Sequence, residues 1–429
     1  MTPAPTLRRA LGKWDLTAIG INQVIGSAVF LLPSQVAAQV GGWGALAFLG
    51  VGVASLLVAL CFAELGSRVD QTGGPYLYAR AAFGRFVAFE IGWMQWIARI
   101  TSQAGIANGL ALALGFYWPA VTGGAGRVAV IAGVTLLIGW INLLGIRPSA
   151  FVVNLLTIAK LLPLALFIGI GVWFVDMAAV VPSGSVSLEQ ASAAALLLVF
   201  AFGGYDVIGV PAGEATDPRR HVPFAFVATI VAVTAVMTLA HVVAAGTLPR
   251  LAGSSTPLAD ASAVFMGAAG ALLISVGSIV SMAGNSFGSV LTGSRMLFAL
   301  AENGELPRFL ATIHPRYRTP SNAILCMTAV ILVLALSGSF VMLALASGVA
   351  RLVVYTGTCA AALRLQYVRA PASAPASFVT PGGPLVPVVA IAVSLAILAG
   401  ATGAQLLGGA VGLAAGAVLF LIQRESTRP

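Results

Sequence analysis

Long apolar stretches recur from one end of the chain to the other, and short polar segments separate them. Most of these stretches contain about 18 or more residues, which is enough for a helix to cross the roughly 30 Å apolar core of a bilayer. The pattern therefore predicts an all-α membrane protein with twelve transmembrane helices. The predicted spans cover residues 17–40, 43–66, 86–114, 127–145, 149–175, 191–212, 222–247, 265–300, 321–338, 340–365, 383–403 and 405–422.

The composition supports this prediction and excludes a soluble protein. Of the 429 residues, 59% are hydrophobic and only 8% are charged, and the mean hydropathy is +1.00. A soluble protein typically carries roughly 25% charged residues. The connections between spans are short, so residues 1–429 are expected to form one membrane domain. The first apolar run is too long for the apolar part of a secretion signal, which predicts that no leader is cleaved.

The basic residues predict the orientation of the chain. If the N-terminus is cytoplasmic, most of the 22 lysines and arginines lie on the cytoplasmic side, as is usual for membrane proteins. Arg127 and Arg250 then face outward, while Arg99, Lys160 and Arg351 fall within spans. Both termini are thus predicted to be cytoplasmic, and the short loops favour a prokaryotic inner membrane. Because the positive charge is scattered over many loops, the net charge of +9 does not indicate a nucleic-acid partner.

The sequence shows none of the usual signs of an enzyme. The three cysteines, Cys61, Cys326 and Cys359, all fall in predicted spans. Neither they nor the three histidines have the spacing of a disulfide framework or a metal site. No nucleophile–base pair and no phosphate-binding loop is visible. The sequence therefore predicts no catalytic activity, no bound metal and no cofactor.

Two of the predicted spans are interrupted by glycine. Span one carries Gly26 and Ser27, and span six carries Gly203, Gly204 and the acidic Asp206. Paired interruptions at corresponding positions indicate the central site of a transporter built from two inverted halves. Spans one and six lie five apart, as two such five-helix halves require. The predicted segments are a cytoplasmic tail (1–13), a first repeat (14–175), a second repeat (190–365) and two additional helices (383–422).

The interruptions predict a binding site for a zwitterion. In lipid an unpaired main-chain group is costly, so a broken helix is tolerated only where protein, water or a ligand satisfies the freed groups. A helix that resumes near Ser27 would present free amides, and the positive end of its dipole, to a carboxylate. A helix that stops near Phe202 would present free carbonyls to an ammonium group. The alternative is that the glycines serve only close helix packing.

Four segments of the chain resemble transporters of the amino acid–polyamine–organocation superfamily. They are IGSAVFLLP (25–33), AELGSRVDQTGGPYLYARAAFG (63–84), FAFGGYDVIGVPAGEATDPRRHVP (200–223) and GSRMLFALAENGELPRFLATIHPRYRTPSNAIL (293–325). The resemblance implies the inverted five-plus-five repeat of the leucine-transporter fold, alternating access, and transport of amino acids or related amines. Some relatives need an accessory subunit held by a cysteine in an outward loop. This chain has no such cysteine, so no obligatory subunit is expected.

By this resemblance, the substrate contacts both interruptions. The implied residues are Ile25, Gly26, Ser27, Ala28 and Val29 at the first interruption, and Phe200, Phe202, Gly203 and Tyr205 at the second. The family usually has a second glycine where this chain has Ala28. The methyl group of Ala28 occupies space beside the carboxylate site, which favours a small substrate.

Lys160 lies in the middle of span five in a chain that otherwise uses arginine almost throughout; the other lysine is Lys13. By resemblance, Lys160 matches a lysine that takes the place of a sodium ion between spans one and eight. The expected partners are Ser286 or Ser289 of span eight and a main-chain carbonyl near Gly20 to Val24 of span one. This reading predicts proton coupling and independence from sodium, because a buried lysine can lose its proton. The alternative is a permanently charged lysine that only holds helices together.

Span three carries an unexpected arginine. By resemblance, Ala98, Arg99 and Gln103 line the substrate site, and Asp206 matches an acidic position close to it. Two interpretations stay open. Arg99 either pairs with Asp206 as a structural or gating bridge, or faces the substrate and favours an acidic or strongly polar side chain.

The sequence thus predicts a secondary active transporter whose partners are an amino acid or amine, protons and the lipid bilayer. Proton symport is the first expectation, and exchange of amino acids without net proton coupling is the alternative. A channel or a sensor on the same scaffold is a further alternative. A channel would require a continuous polar stripe or charged rings, whereas this chain has isolated charges near two interruptions.

Overall fold

The structure is a computed structural model, and it describes residues 9–115, 118–338, 340–367 and 375–426. Within these ranges the chain is helical, and its only bridge of β type is an isolated one between Leu11 and Ala215. The α-helices are α1 (Lys13–Val24), α2 (Ala28–Val40), α3 (Gly44–Gly66), α4 (Pro75–Phe83), α5 (Arg85–Gly115), α6 (Gly124–Leu143), α7 (Ile146–Gly171), α8 (Met177–Val180), α9 (Leu188–Phe202), α10 (Pro218–Thr247), α11 (Pro257–Glu302), α12 (Ser321–Ser337), α13 (Phe340–Tyr367), α14 (Leu385–Ala399) and α15 (Gly403–Ser426).

Many of these helices are long and apolar enough to cross a bilayer. In the described part of the chain, eight segments meet this condition by length and composition, and two shorter helices are also apolar. The prediction of an all-α chain with repeated apolar helices is therefore confirmed. The eight segments are Ala28–Gly66, Gly124–Leu143, Phe151–Phe174, Leu188–Glu214, Pro218–Thr247, Pro257–Glu302, Leu345–Tyr367 and Gly403–Gln423.

The helices differ in how deeply they are buried. In Leu188–Glu214, 83% of the most apolar stretch is buried inside the protein, whereas in Gly403–Gln423 only 11% is buried. The segment that contains Gly203 and Gly204 is therefore enclosed by other helices. The last helix lies at the periphery, where its apolar side chains are available to lipid.

The first helix of the sequence is interrupted between Val24 and Ala28. Helix α1 ends at Val24, Ile25 is non-helical with φ −77° and ψ 87°, and α2 begins at Ala28. Pro33 lies in the first turns of α2, where it lacks an N–H to donate. The two helical pieces are thus separated by the three residues Ile25, Gly26 and Ser27.

The second interruption follows Phe202, where α9 ends. Gly203 is extended, with φ −69° and ψ 139°, and Gly204 has φ +136°, which strongly favours glycine. Beyond the glycines the chain forms two short 3-10 helices, Tyr205–Val207 and Val210–Glu214, before α10 begins. The predicted span of residues 191–212 is therefore an α-helix only in its first part.

The segment before α1 is tied to the chain that follows the second interruption. The main-chain N–H groups of Ala10 and Leu11 donate to the carbonyl of Glu214 at 2.8 and 2.9 Å, and Thr216 donates to Leu11 at 2.9 Å. The carboxylate of Glu214 accepts a hydrogen bond from Nε of Arg295 in α11 at 2.5 Å. These contacts join three parts of the chain at the end of the molecule where α1 begins.

Glycines allow α3 to pack closely against α10. A Cβ atom placed on Gly52 would lie 2.7 Å from Oγ1 of Thr234, and one on Gly44 would lie 2.7 Å from Cε1 of His241. Both distances are shorter than van der Waals contact. By contrast, a Cβ atom on Gly50 of the same helix would meet no other atom within 4 Å.

We expect Gly52→Val to destabilise the protein by about 1–3 kcal/mol, because the added methyl groups overfill the contact between α3 and α10. Gly50→Val is the matched control, since it adds the same side chain to the same helix in open space. The measurement is the Tm of the purified protein in detergent. An equal loss of Tm in both variants would contradict the packing interpretation.

Candidate functional site

The two helix interruptions lie directly against each other. A Cβ atom placed on Gly204 would lie 2.6 Å from the carbonyl carbon of Gln23 and 3.0 Å from the main-chain nitrogen of Val24. Only a residue without a side chain allows this approach, and the φ of +136° at Gly204 imposes the same requirement. The end of α1 and the end of α9 therefore meet at one place in the interior.

Helix α11 satisfies the carbonyl groups at the end of α1. Nδ2 of Asn285 donates to the carbonyls of Asn22 and Gln23 at 3.2 and 2.7 Å. The hydroxyl of Ser281 donates to the carbonyls of Ile25 and Gly26 at 3.1 and 2.9 Å. These polar side chains replace the helical hydrogen bonds that the interruption removes, as an apolar environment requires.

The start of α2, by contrast, has polar groups without hydrogen-bond partners in the described part of the chain. The first N–H groups of a helix have no partner within the helix. Among the hydrogen bonds of the described residues, none involves the main-chain N–H of Ser27, Ala28 or Val29. The hydroxyl of Ser27 is also buried without a partner in the described part of the chain. The beginning of α2 thus keeps a set of buried donors available for an anionic group.

Asp206 stands at the centre of a buried ionic cluster. Its Oδ1 accepts hydrogen bonds from Nη1 of Arg351 at 2.9 Å, from Nη2 of Arg99 at 3.4 Å and from the N–H of Gly204 at 3.2 Å. Its Oδ2 accepts one from Nε2 of Gln95 at 3.0 Å. Arg99 and Arg351 are each 2% exposed, and Asp206 is 1% exposed. Two guanidinium groups therefore share a single buried carboxylate.

This cluster, made of Arg99, Arg351, Asp206 and Gln95, is linked to both interruptions. Nη1 of Arg99 donates to Oε1 of Gln23 in α1 at 2.7 Å. The side chain of Arg351 lies over Gly203, so that a Cβ atom there would lie 2.6 Å from its Cδ. A glycine at position 203 thus makes room for the side chain of Arg351.

Of the two interpretations of Arg99, the structure contains the ion pair with Asp206. Contact between Arg99 and a substrate stays a prediction. The participation of Arg351, which forms the shorter contact with Asp206, was not predicted from the sequence. Arg351 lies about 145 residues further along the chain, so its proximity to Asp206 depends entirely on the packing of α13.

Lys160 lies between α1 and α11, as expected, but its partner in α11 differs. Its Nζ is 2.6 Å from the carbonyl of Ile25, 3.2 Å from that of Asn22 and 3.2 Å from that of Ser281. The expected partners, Ser286 and Ser289, make none of the hydrogen bonds described for Lys160.

The geometry of α11 explains this difference. Residues five and eight positions beyond Ser281 lie about 7.5 and 12 Å further along the helix axis, out of reach of the ammonium. The hydroxyl of Ser289 instead donates to Oε1 of Gln23 at 3.0 Å. The hydroxyl of Ser286 is buried without a partner among the described residues.

The remaining predicted site residues are buried, and they fall into different surroundings. The carbonyl of Ala98 accepts from the hydroxyl of Ser347 at 2.8 Å, and Ser347 in turn accepts from Nε of Arg351 at 3.2 Å. Tyr205 stacks on Tyr355, with ring centroids 5.3 Å apart. Gln103 is buried in α5, the helix that carries Arg99. The other predicted side chains are buried near the interruptions: Ile25, Ala28, Val29, Phe200 and Phe202.

Four residues with a clear part in the site were not identified from the sequence. Gln23 accepts a hydrogen bond from Arg99, and Gln95 donates one to Asp206. Ser281 and Asn285 donate to main-chain carbonyls at and just beyond the end of α1. The signal for Gln23 was present, because two amides, Asn22 and Gln23, lie within four residues of Gly26 in the predicted first span. Ser281 and Asn285 lie in α11 among several similar small polar residues, and the sequence does not distinguish them.

Comparison with known proteins assigns the chain to a family. The family model described as amino acid permease matches residues 11–420 of the chain. The serine/threonine exchanger SteT of Bacillus subtilis is 33% identical over 77% of this chain and 77% of its own length. The branched-chain amino acid permease BcaP of the same organism is 27% identical over 73% of this chain and 72% of its own.

A third relative broadens the range of substrates among similar proteins. The methylthioribose transporter of Bacillus subtilis is 28% identical over 73% of this chain and 72% of its own length. All three relatives carry small molecules, and none is named as an enzyme. The matches confirm the resemblance to the amino acid–polyamine–organocation superfamily and identify the chain as a transporter. The chain belongs to the amino acid permease family and is a multi-pass membrane transporter of small-molecule substrates of the amino acid class.

Proposed function

We propose that this protein is a secondary active transporter that binds a small amino acid between its two helix interruptions and carries it by alternating access. One observation carries the proposal. The buried donors at the start of α2 adjoin the place where the end of α1 meets Gly204, and they include the hydroxyl of Ser27, which has no partner among the described residues. An anion-binding helix start beside a second helix end suits the two charges of a zwitterion.

The proposed architecture is that of two inverted halves. The halves are residues 14–175 and 190–365, each of which begins with a broken helix, and residues 383–422 add two helices to a total of twelve. Both termini lie in the cytoplasm, and the membrane is a prokaryotic inner membrane. This arrangement is supported by the equivalent positions of the interruptions after Val24 and Phe202 and by transporter folds of this kind.

The substrate carboxylate binds the N–H groups of Ser27, Ala28 and Val29, and the ammonium binds the carbonyls at the end of α9. Ile25, Gly26, Phe202 and Gly203 enclose it, while the methyl group of Ala28 limits its size. The relative SteT is named as an exchanger of serine and threonine, which are small amino acids. That relationship supports a small substrate here.

Lys160 gives the proposed transporter its ion dependence. Its Nζ occupies a position between three carbonyl groups, which are ligands that also suit a small cation such as sodium. Because the ammonium group of Lys160 already contacts these carbonyls, we expect no sodium ion to bind there. Because an amine can release its proton and a guanidinium does not, Lys160 is the residue proposed to couple transport to protons.

The second candidate function is exchange of amino acids without net proton coupling. In this case Lys160 stays charged and only holds α7 against α1 and α11. The name of SteT, which is an exchanger, favours this candidate. Both candidates share the same binding site and the same independence from sodium.

Uptake into proteoliposomes separates the two candidates. If the protein is a symporter, an acidic exterior drives accumulation of labelled amino acid into vesicles that contain none. If it is an exchanger, accumulation requires amino acid inside the vesicles and does not respond to the pH gradient. Failure to transport any amino acid under either condition would contradict the proposed function.

We expect Lys160→Ala to abolish accumulation driven by a pH gradient, because the proposed proton-binding amine is lost. Binding of the amino acid, measured by thermal shift, should be reduced but still detectable. Lys13→Ala removes the other lysine of the chain and should leave accumulation unchanged. Replacement of sodium by choline should have no effect on the wild-type protein. Unchanged accumulation in Lys160→Ala would remove the coupling role.

We expect Gly204→Ala to reduce transport at least about 10-fold, because the methyl group would force apart the two interruptions that form the site. Gly184→Ala is the matched control. Gly184 also has a positive φ, of 74°, but a Cβ atom there would meet no other atom within 4 Å. Initial rates of uptake at equal protein content provide the measurement. Similar rates for both variants would show that close contact between the interruptions is not needed for transport.

A further inference from the structure

The ionic cluster at the interruptions contains more positive than negative charge. Arg99 and Arg351 both contact Asp206, at 3.4 and 2.9 Å. In the described part of the chain, no other carboxylate lies within the 4.0 Å of an ion pair from either guanidinium. Arginine stays protonated in proteins. The cluster therefore carries one excess positive charge in a place where its members are at most 2% exposed.

The neutral neighbours of the cluster do not remove this excess. Gln95 donates to Asp206, Gln23 accepts from Arg99, and Ser347 accepts from Arg351. These contacts satisfy hydrogen-bonding groups but add no negative charge. Lys160 has its own three carbonyl partners and, when protonated, only increases the positive charge of the interior.

An uncompensated buried charge is unfavourable, and an ionisable group kept within a membrane interior indicates a functional site. Nε of Arg99 is buried and has no hydrogen-bond partner among the described residues. This N–H group is a free donor on the very guanidinium that links Asp206 to Gln23 in α1. An acceptor that carries negative charge and reaches this junction would satisfy both the N–H group of Arg99 and the excess positive charge.

We propose that the preferred substrate is an amino acid with an acidic side chain, whose second carboxylate compensates the excess charge of Arg99 and Arg351. This inference rests on the proposed function, in which the interruptions hold the α-carboxylate and the α-ammonium. A neutral amino acid adds one charge of each sign and leaves the excess as it was. An acidic amino acid has a net charge of −1, so the cluster and its substrate together become neutral.

The decisive experiment compares ligands that differ in charge but hardly in shape. Binding of L-aspartate and L-asparagine, and of L-glutamate and L-glutamine, is measured by thermal shift on the purified full chain and by counterflow into proteoliposomes. We expect each acid to half-saturate at a concentration at least about 10-fold lower than its amide, which corresponds to about 1.4 kcal/mol. Equal or tighter binding of the amides to the wild-type protein would overturn the inference.

Charge variants test the cause of the preference. Arg99→Gln and Arg351→Gln each leave one guanidinium on Asp206. The half-saturating concentration of the amide divided by that of the acid should therefore fall towards one, while the amides still bind. Asp206→Asn raises the excess positive charge and should keep or widen the ratio. If all three variants weaken both ligands to the same degree, the cluster is only structural and the inference fails.

The outcomes also separate this inference from the proposed function. Robust counterflow of the amides with no preference for the acids would preserve an amino acid transporter and remove the acidic substrate. Absence of binding and counterflow for acids and amides alike, together with all other amino acids, would remove both. Because the comparison of acid with amide uses the wild-type protein, it stays informative even if a variant does not fold.

Discussion

Main-chain groups freed inside a membrane protein must find partners within the protein or its ligand, because lipid offers none. Each half of the site follows from this constraint. At the end of α1, Asn285, Ser281 and Lys160 together take up four carbonyl groups, so the protein itself completes the interruption on this side. At the start of α2, the main-chain N–H groups of Ser27, Ala28 and Val29 have no partner among the described residues. One side of the interruption is therefore satisfied by the protein itself, and the other is the side at which we propose that the substrate binds.

The two adjacent glycines of the second interruption have different structural roles, which the sequence motif alone does not distinguish. Gly204 provides the positive φ and the direct contact with the end of α1. Gly203 provides space for the side chain of Arg351. Neither role is close packing of two continuous helices, which was the alternative explanation for glycine here. The interruption, the contact between the two broken helices and the ionic cluster thus depend on two adjacent residues without side chains.

Much of the fold was predictable because it depends on one-dimensional properties of the chain. Apolar runs of membrane length indicate helices whatever surrounds them. The predicted spans of residues 43–66 and 222–247, for example, correspond to α3 and the greater part of α10. The ends of α1 and α9 were predictable for a related reason, since glycine and polar residues in such a run mark where the helix stops. The pattern did not reveal that the chain beyond Gly204 continues as 3-10 turns, because a hydrophobic run does not distinguish these from an α-helix.

The sequence by itself determined the helices, the positions of their interruptions and the unusual charges among them, because all three are local properties of the chain. Only the tertiary structure decided which of those charges meet. Arg99, Asp206 and Arg351 come from α5, the second interruption and α13, and the packing of these elements joins two arginines to one aspartate. The same holds for Lys160, whose partner is Ser281 and not Ser286 or Ser289. The rotation and height of α11 fix that choice, and neither quantity can be derived from the spacing of residues along a single helix.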